Sequence, residues 1–245
     1  MPMSGGSQVT TLPAGLEVAR GSIDKLELKG RTAVNTAVGA SYETVWNVGG
    51  IRPNITYDTA TQVTVVSSST DDTNSGGSGA KRVKVRGVDG SGAYVEENVN
   101  LNGTGAVTSA NSYLSIDKCT VNKGAANAGT IDIKSGSDIL QQISVGDGES
   151  MASHWYSPAN TSSYLTSFLV GASEPALVSI WARYAGNNNP WAKKLEVVVK
   201  NSVTTYSLPN PIAIGGTFEF EFRAKRLGDT DSAVSIDYQV IVESS

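Results

Sequence analysis

Toward the end of the chain Val234, Ile236, Tyr238, Val240 and Val242 occupy every second position, with Ser235, Asp237 and Gln239 between them. A period of two can be buried on one side only by an extended strand, because successive side chains of a strand point to opposite faces. The same rhythm places Phe218, Phe220 and Phe222 against Glu219, Glu221 and Arg223, which predicts an aromatic face in a core and a charged face in water. It recurs at Val63 and Val65, at Val83 and Val85, and at Val95, Val99 and Leu101, where Glu97 breaks the pattern. The fold class expected is all-β. Composition agrees, since only 17% of the residues are charged and the balance is rich in Gly, Ser, Thr, Asn and Val, which favour strands and turns.

Turn chemistry divides these strands. Residues 67–79 are Ser, Thr, Asp, Asn and Gly and predict a solvent-facing loop. Asp89-Gly90 and Asn102-Gly103 supply the positive φ angles of tight hairpins. Further strands are expected around residues 113–121, 130–134 and 139–145, then 164–170, 177–184, 195–200, 218–223 and 234–242. Pro209 and Pro211 exclude a central strand where they stand. The small polar stretch 146–150 is the best boundary between two units. The expected organisation is an extended N-terminal arm over residues 1–50, a β-sandwich over 51–148, and a second β-sandwich or jelly-roll-like domain over 149–245. Within the arm, residues 16–28 could form a helical turn or a strand, and Val45 and Trp46 are possible anchors. The arm either orders against its own domain or packs on a neighbouring subunit.

Several function classes find no support. A net charge of -4 offers no basic surplus to displace counterions from phosphates, so no nucleic-acid partner is expected. One cysteine, Cys119, and one histidine, His154, are too few for a Cys/His zinc site, and His154 lies near no nucleophile elbow. Asp71 with Asp72, Glu96 with Glu97, and Asp229 with Asp231 provide carboxylates by number only; neighbours on a strand point apart. Asp71, Asp72 and Asn74 do not match the spacing of a calcium loop and read as turn residues. Residues 76–81 lack the Gly-Lys-Ser/Thr ending of a phosphate loop and precede a strand. Neither a catalytic residue nor a cofactor is expected. The amino terminus lacks the pattern of a secretory signal, and no stretch approaches the roughly 18 apolar residues of a membrane span, so synthesis and assembly in a cytoplasm are expected.

What remains is surface. Lys81, Arg82, Lys84 and Arg86 alternate with Val83 and Val85 as the solvated face of a strand, a possible contact for an acidic neighbour. Aromatic residues gather at Trp155, Tyr156, Tyr164, Trp181, Tyr184 and Trp191, as they do in sugar sites and protein interfaces. Trp181 is expected in the core and Trp191, after an Asn-Pro step, at the surface. The candidate interface is Trp46, Lys81, Arg82, Lys84, Arg86, Trp155 and Trp191.

Residues 66–73, the glycines of 76–79, the strand Ala80-Lys81-Arg82-Val83-Lys84-Val85-Arg86-Gly87, and the returning strand ending in Val99-Asn100-Leu101-Asn102-Gly103-Thr104 resemble a family of tailed-bacteriophage structural proteins. Glu43-Thr44-Val45-Trp46-Asn47-Val48-Gly49-Gly50 and Asn127-Ala128-Gly129-Thr130-Ile131 extend the resemblance, which spans roughly residues 17 to 175. The turn departs from the family, with Gly87-Val88-Asp89 in place of its Gly-Leu-Asp step. The resemblance implies a virion role on head or tail. The expectation is a capsid-decorating or cementing subunit touching a major capsid protein, with a tail or adaptor location as the alternative. A homo-oligomer, taken as a trimer, would cover the strand edges. A carbohydrate-binding module for receptor recognition is the alternative of a different class.

Overall fold

The computed structural model describes residues 18, 19, 21, 23–53, 59–184 and 189–244. Its strands are β1 (Leu26–Val38), β2 (Glu43–Thr44), β3 (Thr61–Ser67), β4 (Ala80–Asp89), β5 (Tyr94–Asn100), β6 (Val107–Gly124), β7 (Ile131–Ser135), β8 (Asp138–Ile143), β9 (Trp155–Tyr156), β10 (Thr161–Ala172), β11 (Ala176–Tyr184), β12 (Ala192–Val199), β13 (Val203–Ile214), β14 (Phe218–Arg226) and β15 (Ser232–Ser244). The protein is all-β, as its alternation predicts, and its strands pair antiparallel.

A four-stranded sheet in the order β1-β15-β10-β13 and a five-stranded sheet in the order β12-β11-β14-β2, with β9 also paired to β14, face each other across one core. If β1, β2 and β10 to β15 are numbered one to eight along the chain, the sheets read 1-8-3-6 and 5-4-7-2. Every connection except that from β11 to β12 crosses from one sheet to the other. This is the strand order of an eight-stranded jelly roll. Its core is built by the alternation: Phe168, Phe220, Phe222 and Tyr238 meet with ring centroids 5.3–5.9 Å apart, and Leu165, Ile180, Val234 and Ile236 fill the layer around them. Each such side chain contributes about 1.5–3 kcal/mol by leaving water.

The jelly roll is interrupted between its second and third strands by a six-stranded sheet in the order β5-β4-β6-β3-β7-β8. This unit gains its core by curling a single sheet over one face, burying Val65, Val85, Tyr113, Ile116, Cys119, Ile133 and Leu140. The curl brings β8 back over β6 although two strands separate them in the sheet: Gln141 Nε2 donates to the carbonyls of Ile116 and Asp117. Irregularities in the β4–β6 register, four in all, bend the sheet. Gly87 sits at one of them, where a Cβ would lie 2.2 Å from the Ser115 carbonyl oxygen.

The inserted sheet hangs on two legs. Trp46 and Ala152 form an antiparallel bridge, the Ser153 amide donates to Val45 O, and β2 and β9 both pair with β14, one at each end of it. From Leu26 onward the chain departs from the expected extended arm. The strand β1 runs antiparallel to β15 from Leu26 opposite Glu243 to Val38 opposite Ser232, and Ala33 and Val38 enter the jelly-roll core. Residues 1–17 of that expected arm lie outside the described residues.

Candidate functional site

Where the inserted sheet meets the jelly roll, polar side chains are enclosed. Arg52, 2% exposed, donates from Nε to Leu140 O (2.7 Å) and from Nη2 to Ile116 O (3.2 Å), so one guanidinium ties both β8 and β6 to the incoming leg. Arg31 of β1 forms a two-pronged pair with the buried Asp117 of β6, and the Tyr94 hydroxyl donates to the same carboxylate at 2.9 Å. Asn47 Nδ2 reaches Gln142 O and Ser144 Oγ. Glu219 and Glu221, expected in water opposite the phenylalanines, are 0% and 1% exposed. Glu219 is held by Arg183 and by His154 Nε2 at 2.7 Å, and Glu221 by Arg223 and the Thr44 hydroxyl. These carboxylates are enclosed by the partners that hold them, Arg183 and Arg223 on the same face and Thr44 and His154 from the two legs that border β14. Burial and the charge of Arg52 push the His154 pKa down against the pull of Glu219.

The expected site residues fall in different places. Trp46 and Trp155 are 2% exposed and are taken up inside the chain, Trp46 donating to Gly49 O and Trp155 to Ser163 Oγ. Neither presents a surface to a partner. Lys81, Arg82, Lys84 and Arg86 lie along β4 and are half-buried; Lys84 and Arg86 share Glu96, while Arg82 Nε donates to Asn122. Glu97 points the other way, accepting from Tyr113 OH and the Ala110 amide. Asp72 is fully enclosed: its carboxylate accepts from Ser67 Oγ and from the amides of Ala80, Ala128 and Gly129 at 2.7–2.9 Å. That loop carboxylate is a staple whose oxygens are already occupied. Among the described residues no group of three or more His, Cys, Asp or Glu is placed to hold a metal ion, and no helix is long and apolar enough to cross a membrane.

Trp191 belongs to a constellation on the outer face of the β12-β11-β14-β2 sheet. Trp181 is on that face too, not in the core: Ile180 and Ala182 point inward, so Trp181 and Arg183 must point out. Arg183 lies 4.5 Å and Arg223 4.9 Å from the Trp191 ring centroid, and Arg223 also covers Trp181 at 5.0 Å. Tyr42 stands edge-on to Trp181 at 5.7 Å, with Lys193 and Lys225 each 4.8 Å from its ring. At the surface beside them Glu196 accepts from Lys193, Tyr42 and Ser179, which hold its pKa down to about 2. Four segments supply the group: Tyr42 ahead of β2, β11, the entry into β12, and β14. The available signal was the phase of each strand: once Ile180 is inward, Trp181 and Arg183 are outward neighbours of Arg223.

No family model matches the chain, and no curated protein matches it. Among solved structures, the VP2 subviral particle of infectious bursal disease virus superposes with a TM-score of 0.24 at 9% identity, over 91% of this chain and 73% of that one. The structure of the Gx strain of that virus gives 0.24 at 12% identity, over 99% and 79%, and its T=1 particles give 0.24 at 11% identity, over 91% and 71%. Scores of this size do not amount to a shared fold.

Proposed function

We propose that the chain is a non-enzymatic structural subunit of a virus particle, and more specifically a decoration or cement subunit on the head of a tailed bacteriophage, with a tail or adaptor position as the alternative. The observation that carries this reading is the strand order 1-8-3-6 facing 5-4-7-2, with a second β unit inserted between the second and third strands. The eight-stranded jelly roll recurs in subunits of viral shells, as it does in lectins, and leaves function to the surfaces mounted on it. The resemblance of residues 66–104 to phage structural proteins supports the same reading.

Contact with the shell is assigned to faces rather than edges. Two of the edge strands, β12 and β13, carry Lys193, Lys194, Pro209 and Pro211, which oppose the addition of a further strand there. The stripe Lys81, Arg82, Lys84 and Arg86 on β4 is the proposed contact for an acidic neighbour. Lys81 and Arg82 have no carboxylate in salt-bridge range among the described residues. Mass spectrometry of particles purified from the encoding virus, with electron microscopy of the same particles, tests the reading. The chain should be present in fixed copy number with density around a threefold axis. Its absence from particles overturns the proposal, and a position on the tail transfers it to the alternative.

A further inference from the structure

The outer face of the β12-β11-β14-β2 sheet carries side chains that the jelly-roll core does not use. Of its carboxylates, Glu219 and Glu221 are buried beneath Arg183 and Arg223, and Glu196, exposed, is paired with Lys193, while Lys225 stands beside Tyr42 next to Trp181 and Trp191. In a chain of net charge -4 this face therefore combines aromatic rings with one excess cation, Lys225, and with the terminal nitrogens of Arg223. Arg223 spends only Nε on Glu221; its terminal nitrogens make no hydrogen bond among the described residues. Lys225 lies over the Tyr42 ring and forms no salt bridge among the described residues. Two indoles and a phenol give flat faces whose negative quadrupole attracts the polarised C–H groups on one side of a sugar ring.

We propose that this patch binds a carbohydrate bearing carboxylate groups, with Trp181 and Trp191 stacking on sugar rings and Lys225 and the terminal nitrogens of Arg223 meeting the acid groups. The patch spans the three strands β12, β11 and β14, about 10–15 Å at the usual strand spacing, which is the reach of two or three sugar units. Single-stranded nucleic acid also stacks on aromatic rings, but it needs a groove of cations that follows a densely charged backbone, and the net negative charge of the chain opposes its capture.

The test uses the intact chain and its tryptophan emission, to which Trp181 and Trp191 contribute from the patch. Trigalacturonate, sialyllactose and a hyaluronan tetrasaccharide are titrated beside maltotriose and a dT4 oligonucleotide. At least one carboxylated sugar should give a saturable change, with maltotriose about tenfold weaker or worse. Trp191→Ala and Lys225→Gln should each weaken binding by about fivefold, the loss of one partly desolvated contact. Unfolding midpoints of both variants are measured alongside, and if Trp191→Ala fails to fold, Lys225→Gln decides. No saturation with any carboxylated sugar, equal binding of maltotriose, tighter binding of dT4, or unaffected variants would each overturn the proposal. Particle composition is a separate measurement, so failure here leaves the virion reading standing.

Discussion

Asp72 is the residue whose surroundings most tightly dictate its identity. Burial alone would raise its pKa, but the Ser67 hydroxyl and the amides of Ala128, Gly129 and Ala80 outweigh that and lower it below the ordinary 3.8. A carboxylate depressed in the fold stabilises it above the unfolded pKa, and that stability drains as pH falls through the folded value. Asp72→Ala orphans four donors at once and should cost about 3 kcal/mol or more, read as a lowered urea midpoint at pH 7; a loss under about 1 kcal/mol would mean that the loop 67–79 is held by something else. His154 has the same sign in a different window. Its pKa is lowered from 6.5, so the unfolded chain takes up a proton first as pH falls below 6.5, and stability should decline there by at most about 1.4 kcal/mol per pH unit until the folded value is reached. As the chain has one histidine, its imidazole signal in a proton–carbon NMR titration is unambiguous. A midpoint below 6.5 is expected, and one above would show that Glu219 wins over burial and Arg52.

Among the elements, legibility in the sequence followed which environment a strand enters. Strands β14 and β15 have one face on an apolar core for most of their length, and their alternation is plain. In β1 the signal is inverted: Lys29 and Arg31, opposite Val240 and Tyr238, share their inward side and meet Tyr94 and Asp117, while Leu26 and Leu28 fall on the other face. A polar seam behind a strand erases the apolar period that would announce it, so β1 read as an arm. In β13 the prolines suppressed the reading, and the structure accommodates them in a bulge: Ser167 pairs with Ser207 and Leu165 with Ile212, leaving residues 208–211 outside the ladder. The aromatic patch was legible only at Trp191, because its other members are brought together by strand order and not by spacing. Backbone proximity within an element is invisible to pattern as well. At Gly87 a methyl group would meet the Ser115 carbonyl and the Tyr113 ring, both inside the β4–β6 ladder. Gly87→Ala should therefore destabilise the chain by about 2 kcal/mol or more, by calorimetry, whereas Gly136→Ala meets no atom within 4 Å and bears only the strain of a φ of 60°.

Taken as a whole molecule, the jelly roll and the inserted sheet have separate cores, yet the seam joins them through charged groups that neither unit can leave exposed without consequence. Arg31 comes from β1 and Asp117 from β6; Arg52 comes from a leg, and its guanidinium donates to carbonyls of the inserted sheet. Removing one member of a buried pair strands the other, at about 3–5 kcal/mol. The chain carries its own reporters for whether that coupling makes the two units unfold together. All four tryptophans, Trp46, Trp155, Trp181 and Trp191, lie outside the inserted sheet, and the single thiol, Cys119, is buried in its core with burial raising its pKa. In urea, tryptophan emission and the reactivity of Cys119 toward a thiol reagent should trace one transition in the natural chain. Asp117→Asn keeps the shape and removes the charge facing Arg31 and Tyr94, so it should expose Cys119 at lower urea than it releases the tryptophans, splitting one transition into two. Coincident curves in the variant would show that Arg52 and the paired legs suffice to couple the units; separate curves in the natural chain would show that the seam does not couple them at all.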